Sequence, residues 1–277
     1  MKIVMVTGPS SGIGRATAVA LGRLGYHVVA AGRSEERVLP VVDQILAEGG
    51  AAEYLHLDLA SLASAGEAAR RFEMTGRKLD VLVNNAGVGA ARGQTADGFE
   101  LQFGVNHLGH FMLTHHLRRV CHPGTRIVVV SSEAHRRARG IDFDRVQGKT
   151  RSLVGWAEYG VSKLANIAFA AELARRQPDW NTYSLHPGVV NTNIFPAGTG
   201  FLFRNRLTPE EGAATSVWCA TADEVGGESG LYYSRRQTRE PSAAARDRTL
   251  AGELWRRSER WCSVAPQHGG PSETADH

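Results

Sequence analysis

The sequence predicts a single doubly wound α/β domain built on a parallel sheet of about seven strands, with helices on both faces. Three observations carry this. Short β-branched runs alternate with apolar-periodic stretches of helical length along most of the 277 residues, the pattern of repeated strand–helix–strand units. A glycine-rich stretch, Thr7-Gly8-Pro9-Ser10-Ser11-Gly12-Ile13-Gly14, separates the first run from the first helical stretch. Later runs end in small or polar residues, Asn84-Asn85-Ala86-Gly87 and Ser131-Ser132 among them, where open parallel sheets bind their ligands.

Composition narrows the class. With 42% hydrophobic and 22% charged residues the chain is an ordinary globular protein, long enough to bury a large core without staples. The net charge is +4, a mild excess carried by arginines spread along the chain, so no nucleic-acid footprint is expected. Cys121, Cys219 and Cys262 lack metal-ligand spacing and, being an odd number, suggest no disulfide framework. A reducing, cytoplasmic setting follows. Ile3 to Val6 is too short for a signal peptide or a membrane span, and no stretch reaches about 18 uninterrupted apolar residues. The expectation is a soluble protein with no membrane anchor and no metal.

Taken in order, Ile3 to Val6 is a buried strand, Arg15 to Leu24 a helix stopped by Gly25, and His27 to Ala31 a second strand. Glycines between the first strand and the helix let the backbone approach a pyrophosphate, and the helix N-terminus beyond them offers free N–H groups and a positive dipole end. An acid at the end of the second strand would bind adenine ribose hydroxyls and mark NAD. Gly32-Arg33-Ser34 has none. Arg33 can pair bidentately with a 2′-phosphate, and Arg15 can add a second charge, which favours NADP over NAD.

Glu36 to Glu48 is a helix and Ala52 to Leu57 a third strand. Asp58 at its end either bonds the adenine amino group or caps the next helix, with Ser61 as rival for the cap. Leu62 to Phe72 is helical and Leu79 to Val83 is the fourth strand. Gly98 to Leu117 forms a long helical segment with Asn106 among apolar residues. A buried amide needs partners, so Asn106 either kinks the helix or positions water. Arg126 to Val130 is the fifth strand. A basic segment, Glu133 to Trp156, follows and reads as a solvated loop. Thr182 to Leu185 is the sixth strand. Thr208-Pro209-Glu210-Glu211 opens a helix, and Gly230 to Tyr233 is a seventh, edge strand. Residues 1–240 thus form the binding and catalytic domain. Residues 241–265 carry an amphipathic helix packed on it, and 266–277 form a disordered tail.

Tyr159-Gly160-Val161-Ser162-Lys163 opens the most Ala-rich helical run. Positions four apart share a helix face. Tyrosine, with a free pKa of about 10, is a poor acid or base near neutrality, and an adjacent ammonium favours its phenolate. The pair can therefore exchange a proton with a substrate at operating pH. Lysine is scarce: Lys2, Lys78 and Lys149 are the only others.

These motifs together, in order and at the strand ends, resemble the classical short-chain dehydrogenase/reductase family from Lys2 to about Tyr233, a Rossmann-type fold. Phe103-Gly104-Val105-Asn106-His107-Leu108-Gly109-His110-Phe111, the Val130-Ser131-Ser132…Ala134-His135 run and His186-Pro187-Gly188-Val189-Val190…Thr192 look like its retinol dehydrogenase-like branch. The resemblance implies Tyr159 as general acid or base, with Lys163 lowering its pKa and binding the nicotinamide ribose. It implies Ser132, rather than Ser131, on the substrate oxygen, and Asn106 holding a relay water. Thr7, Gly8, Ser10, Gly12, Ile13 and Gly14 would line the pyrophosphate. Arg33, Asp58, Asn85, Ala86, Gly87 and Thr192 would touch the cofactor elsewhere. Helices bearing Tyr159 and Asn106 pair into a dimer in much of the family, so homodimer, homotetramer and monomer all stay open.

The expected activity is NADP-dependent interconversion of a ketone or aldehyde and an alcohol. The substrate is moderately large and partly apolar, judged from Trp156, Phe195, Phe201 and Phe203, and a bacterial ketoreductase of secondary metabolism fits. A retinol or retinal dehydrogenase, a ring double-bond reductase and a non-catalytic NADP sensor are the alternatives. The charge argument is tested by Arg33→Ala. It should raise the NADPH dissociation constant far more than that of NADH, and an equal effect on both would refute it.

Overall fold

A computed structural model describes residues 1–190 and 207–263 of the chain. Eight strands form one sheet in the order β3-β2-β1-β4-β5-β6-β7-β8. In chain order they are β1 (Ile3–Thr7), β2 (His27–Gly32), β3 (Ala51–His56), β4 (Val81–Asn84), β5 (Arg126–Val130), β6 (Asn181–His186), β7 (Leu231–Ser234) and β8 (Gln237–Thr238). The first seven are parallel and β8 runs antiparallel to β7. The sequence step from β3 to β4 crosses β1 and β2, so the winding reverses between β1 and β4, the crevice where such sheets hold ligands.

Strand alternation builds two cores. Val4, Val6, Val28, Val81, Val83, Val128 and Val130 face one side, where α1 (Gly12–Arg23), α2 (Glu35–Ala47) and α7 (Pro209–Thr221) lie. Met5, Val29, Leu82, Ile127 and Val129 face the other. That side is covered by α3 (Leu62–Glu73), α4 (Leu101–Phe103), α5 (Gly109–Leu117) and α6 (Trp156–Arg176). Because both faces are buried, the strands read as nearly continuous apolar runs, as expected of a parallel sheet.

Four expectations are corrected. The helix expected over Gly98–Leu117 begins only at Leu101 and is broken by a π-helical turn, Gly104–Leu108. Glu100 is held instead by a backbone bond to Val146 O (2.8 Å), and its carboxylate accepts from Phe103 N and Thr150 Oγ1. Second, β7 is not the edge. Arg235 and Arg236 both adopt positive φ (53° and 59°) and turn the chain into β8, the geometry of a two-residue hairpin. Arg-Arg carries no turn signature, so this was invisible in the sequence.

Third, the Glu133–Trp156 segment is more than a solvated loop. Ile141 and Val146 are buried, and Phe143 meets Trp261 at 6.2 Å with the Arg257 guanidinium 4.6 Å from its ring centroid. Fourth, the C-terminal helix is split into α8 (Ala243–Arg246) and α9 (Arg248–Trp261). Asp247 separates them because its carboxylate accepts from Thr249 N and Leu250 N, capping α9.

The amphipathic face of α9 lands on α5 and α6. Trp255 sits edge-on to Phe111 (5.0 Å) and stacked on Phe169 (5.9 Å), and Ser258 Oγ meets His107 Nε2 at 3.0 Å. Thr192, Phe195, Phe201, Phe203 and the 266–277 tail lie outside the described residues. Among the described residues no helix is long and apolar enough to cross a membrane, and no group of His, Cys, Asp and Glu could hold a metal.

Candidate active site

A cleft of about 550 Å³ runs along the carboxyl ends of β1, β2, β4 and β5. Its wall at β1 is the glycine turn. Gly8 and Gly12 take positive φ (67° and 55°), which glycine adopts without steric cost. A Cβ on Gly14 would lie 2.1 Å from Gly8 O and 2.4 Å from Asn85 Nδ2, and one on Gly8 would lie 2.9 Å from Ala86 Cα. The turn and the β4 loop touch through backbone, with no room for side chains. Ser11, the residue before α1, gives no side-chain cap, and the first turn of α1 contains no acid. By contrast α3, α7 and α9 are each capped by a side chain, from Ser61, Thr208 and Asp247. The helix end on this cleft thus keeps its N–H groups and dipole free for an anion.

Gly8, Ser10, Gly12, Ile13 and Gly14 line the cleft, as do Asn85, Ala86 and Gly87 across from them. Thr7 does not. It is fully buried beneath the turn, and its Oγ1 accepts from Asn85 N (3.0 Å) and Ala86 N (2.9 Å) while meeting His110 Nε2 at 2.9 Å. Its position at the end of a central strand, with both faces covered, prevents it from lining a pyrophosphate directly. Arg33 lines the far end and is exposed. Arg15 bonds Gln44 Oε1 (2.6 Å) and is absent from this wall; the second arginine there is Arg37, in the first turn of α2. Asp58 lines the cleft while its Oδ1 accepts from Ala60 N, and Ser61 caps α3.

Tyr159 and Lys163 stand on the first turns of α6, both buried and both on the cleft. Lys163 Nζ lies 5.6 Å from the Tyr159 ring centroid and donates to Val130 O at 3.1 Å. A Cβ on Gly87 would sit 3.2 Å from Asn106 Oδ1 and 3.5 Å from Lys163 Nζ, so this glycine lets three elements meet. Burial dominates the electrostatics. It pushes the Tyr159 phenol up to about 12, against a smaller opposing pull from its hydrogen bond with Ser132. It brings the Lys163 ammonium down to about 8. Desolvation penalises both charged forms and outweighs the lowering of Tyr159 expected from Lys163.

Ser131 Oγ donates to Lys163 O at 2.7 Å and so is committed to positioning α6, whereas Ser132, partly exposed, is the serine that reaches Tyr159. Asn106 lies in the π turn. Its Oδ1 accepts from Val88 N (2.8 Å), and its Nδ2 donates to Val88 O and Ser162 Oγ (2.9 Å each). The side chain thus ties the β4 loop to α6, and its carbonyl accepts from His110 Nδ1 at 3.0 Å. Ser162 and His110 are the parts of this network that sequence reasoning passed over, although both stand inside the motifs it quoted. Beyond Tyr159 the cleft is lined by Val88, Ala91, Leu101 and Val105, and Trp156 packs edge-on to the Tyr159 ring at 5.5 Å.

The buried ammonium has a measurable consequence. Lys163 is depressed from 10.5 to about 8, so between these values this group binds more protons in the unfolded chain than in the folded one. By itself it contributes a rise of stability with pH across that window, against the fall contributed by the buried cysteine thiols, which burial pushes up. Lys163→Met should remove this rise in chemical-denaturation measurements, and an unchanged pH slope would show that Lys163 is not buried as described.

The short chain dehydrogenase family model matches residues 2–198. Retinol dehydrogenase 11 of Homo sapiens is 41% identical over 267 residues, covering 92% of this chain and 83% of that protein. A crystal structure of a Mycobacterium paratuberculosis protein aligns with a TM-score of 0.79 at 33% identity, over 95% of this chain and 94% of that one. The crystal structure of the landomycin C-6 ketoreductase LanV with bound NADP and rabelomycin aligns with a TM-score of 0.68 at 27% identity, over 84% and 94%. The glycine turn, the β4 loop and the tyrosine–lysine helix stand where such a chain needs them, and this protein belongs to the short-chain dehydrogenase/reductase family, on its retinol dehydrogenase-like side, as an oxidoreductase of CH–OH groups.

Proposed function

We propose that the chain is an NADP-dependent carbonyl reductase, working reversibly as an alcohol dehydrogenase, with Tyr159 as its acid and base. The observation that carries this is the buried Tyr159–Lys163 pair, with Ser132 bonded to Tyr159, on a cleft that also carries Arg33 and Arg37, with no acid at the end of β2 and Asp58 after β3. The cleft fits a dinucleotide phosphate. The α1 N-terminus and Gly12 to Gly14 would hold the pyrophosphate, and Arg33 and Arg37 the 2′-phosphate. Lys163 has donors beyond the one given to Val130 O for ribose hydroxyls. NADP, when bound, supplies or accepts the hydride at the substrate carbon. The protein's part is to orient the reactants and handle the proton.

In reduction, Ser132 Oγ holds the carbonyl oxygen and Tyr159 Oη gives it a proton. In oxidation Tyr159 takes that proton from the alcohol. The high Tyr159 pKa keeps the donor protonated in the resting protein. The protonated Lys163 stabilises the phenolate that forms after transfer, through its charge. Thr192, outside the described residues, completes the proposed cofactor set. The substrate class follows from the apolar far wall and Trp156: a bulky, partly aromatic ketone or aldehyde, of the kind the landomycin ketoreductase's bound rabelomycin represents. The covering of α5 and α6 by α9 favours a monomer over the dimer that pairing through those helices would give.

Tyr159→Phe tests the assignment. It should lower kcat by at least about 10²-fold while leaving the NADPH dissociation constant nearly unchanged, both read from NADPH oxidation and fluorescence titration. Retained turnover would remove Tyr159 as the acid.

A further inference from the structure

We infer that His135 is a positioning residue that fixes Ser132 against the C-terminal segment of the chain; the inference rests on the proposed role of Ser132. Ser132, two residues past β5, is extended and precedes a 3₁₀ turn, Glu133–Arg137. Its carbonyl accepts two bonds from one residue: His135 N at 3.1 Å and His135 Nδ1 at 2.7 Å. Its Oγ accepts from Ala134 N at 3.2 Å. The other ring nitrogen of His135, Nε2, accepts from Ser242 N at 3.1 Å, and Ser242 Oγ in turn caps α8. His135 is fully buried, with its ring edge-on to Tyr232 on β7 at 5.2 Å.

The partners determine the proton. A backbone carbonyl only accepts, so Nδ1 carries the hydrogen. A backbone N–H only donates, so Nε2 is bare. A ring satisfied on both sides in this way has one orientation. Through it the Ser132 peptide is tied to residue 242, over a hundred residues away. On the opposite side the same 3₁₀ turn rests directly on α6: a Cβ on Gly160 would lie 3.0 Å from Ala134 O. The turn is therefore held between the helix of Tyr159 and the segment leading to α8, and His135 is the link to the latter. Tyr232 Oη, donating to Glu133 Oε1 (2.8 Å), and Arg136 Nη2, donating to Glu240 O (2.7 Å), run parallel to it. A shift of the serine hydroxyl relative to Tyr159 of even ~1 Å can cost about 10²-fold in rate.

Two substitutions separate the bonds. His135→Asn keeps a donor at the Nδ1 position and loses the acceptor for Ser242. His135→Gln keeps an acceptor at the Nε2 position and loses the donor to Ser132 O. With NADPH and the fastest-reduced compound from a panel of aromatic ketones, quinones, aldehydes and retinal, His135→Gln should lose about tenfold in kcat. Its KM and NADPH dissociation constant should stay unchanged. His135→Asn, which keeps the bond to Ser132 O and loses only the tie to Ser242, should lose a smaller factor in kcat than His135→Gln while its melting temperature falls.

Equal kcat losses in both variants, tracking the loss of stability, would overturn the inference, as would full activity of His135→Gln. Ser132→Ala separates the two layers of argument. If it retains turnover, the role of Ser132 fails; if it is inactive while His135→Gln is fully active, only the role of His135 fails. Independently of turnover, ¹⁵N spectra of the imidazole should show Nδ1 protonated and Nε2 bare through about pH 6.5, where a free imidazole titrates. The opposite tautomer, or a titrating cation there, would also overturn it.

Discussion

The contact on which the rest depends is the lock between the ends of β1 and β4. Thr7 Oγ1 accepts the two N–H groups that open the β4 loop, and Asn85 Nδ2 returns a bond to Thr7 O at 2.9 Å. Gly14 closes over both, in a space that admits no Cβ. These are the two central strands between which the winding reverses, so fixing their ends fixes the crevice. The α1 N-terminus, the flat floor at Ala86 and Gly87, and the approach of Lys163 and Asn106 to Gly87 all follow from that one junction. His110 braces it from below by joining Thr7 to the Asn106 carbonyl, a neutral ring whose burial brings it down to about 4.

Burial is also what makes the site chemically unusual. A tyrosine and a lysine one turn apart on a solvated helix would titrate near their ordinary values. Here both are removed from water, and the shifts run in opposite directions, each towards the neutral form. The phenol is kept protonated and the ammonium is easily discharged. A site of this kind responds to whatever charge enters the cleft, and the proposed cofactor would bring an anionic pyrophosphate and 2′-phosphate into it.

Much of this was legible in the sequence, for a definite reason. β-Branched strand runs, the glycine turn and the Tyr159–Lys163 spacing are local patterns with local physical causes. They gave the order of the elements and the strand ends along which the cleft lies. What escaped was set by contacts between distant segments. Asn106 does sit in a break of its helix, one of the two expectations for it, but the partners of its amide, Val88 and Ser162, lie 18 and 56 residues away and carried no local signal. Arg37, not Arg15, joins Arg33, because Arg15 reaches from α1 to Gln44 on α2. Thr7 looked like a pyrophosphate ligand by its place in the motif and is instead the buried pin beneath it. The positive-φ Arg235–Arg236 turn carries no compositional mark at all.

The C-terminal segment and the Glu133–Trp156 segment belong together in this picture. Trp261 packs on Phe99, Phe103 and Phe143, so α9 supports both the α4 entrance and the loop that leads to Trp156 and Tyr159. The central claim, that the β1–β4 crevice is a dinucleotide site selecting NADP, is tested most directly by fluorescence titration of the purified wild-type protein with NADPH and NADH. The account predicts saturable binding of both, with NADPH the tighter. Tighter binding of NADH would contradict the reading of Arg33 and Arg37, and no binding of either would contradict the reading of the glycine turn itself.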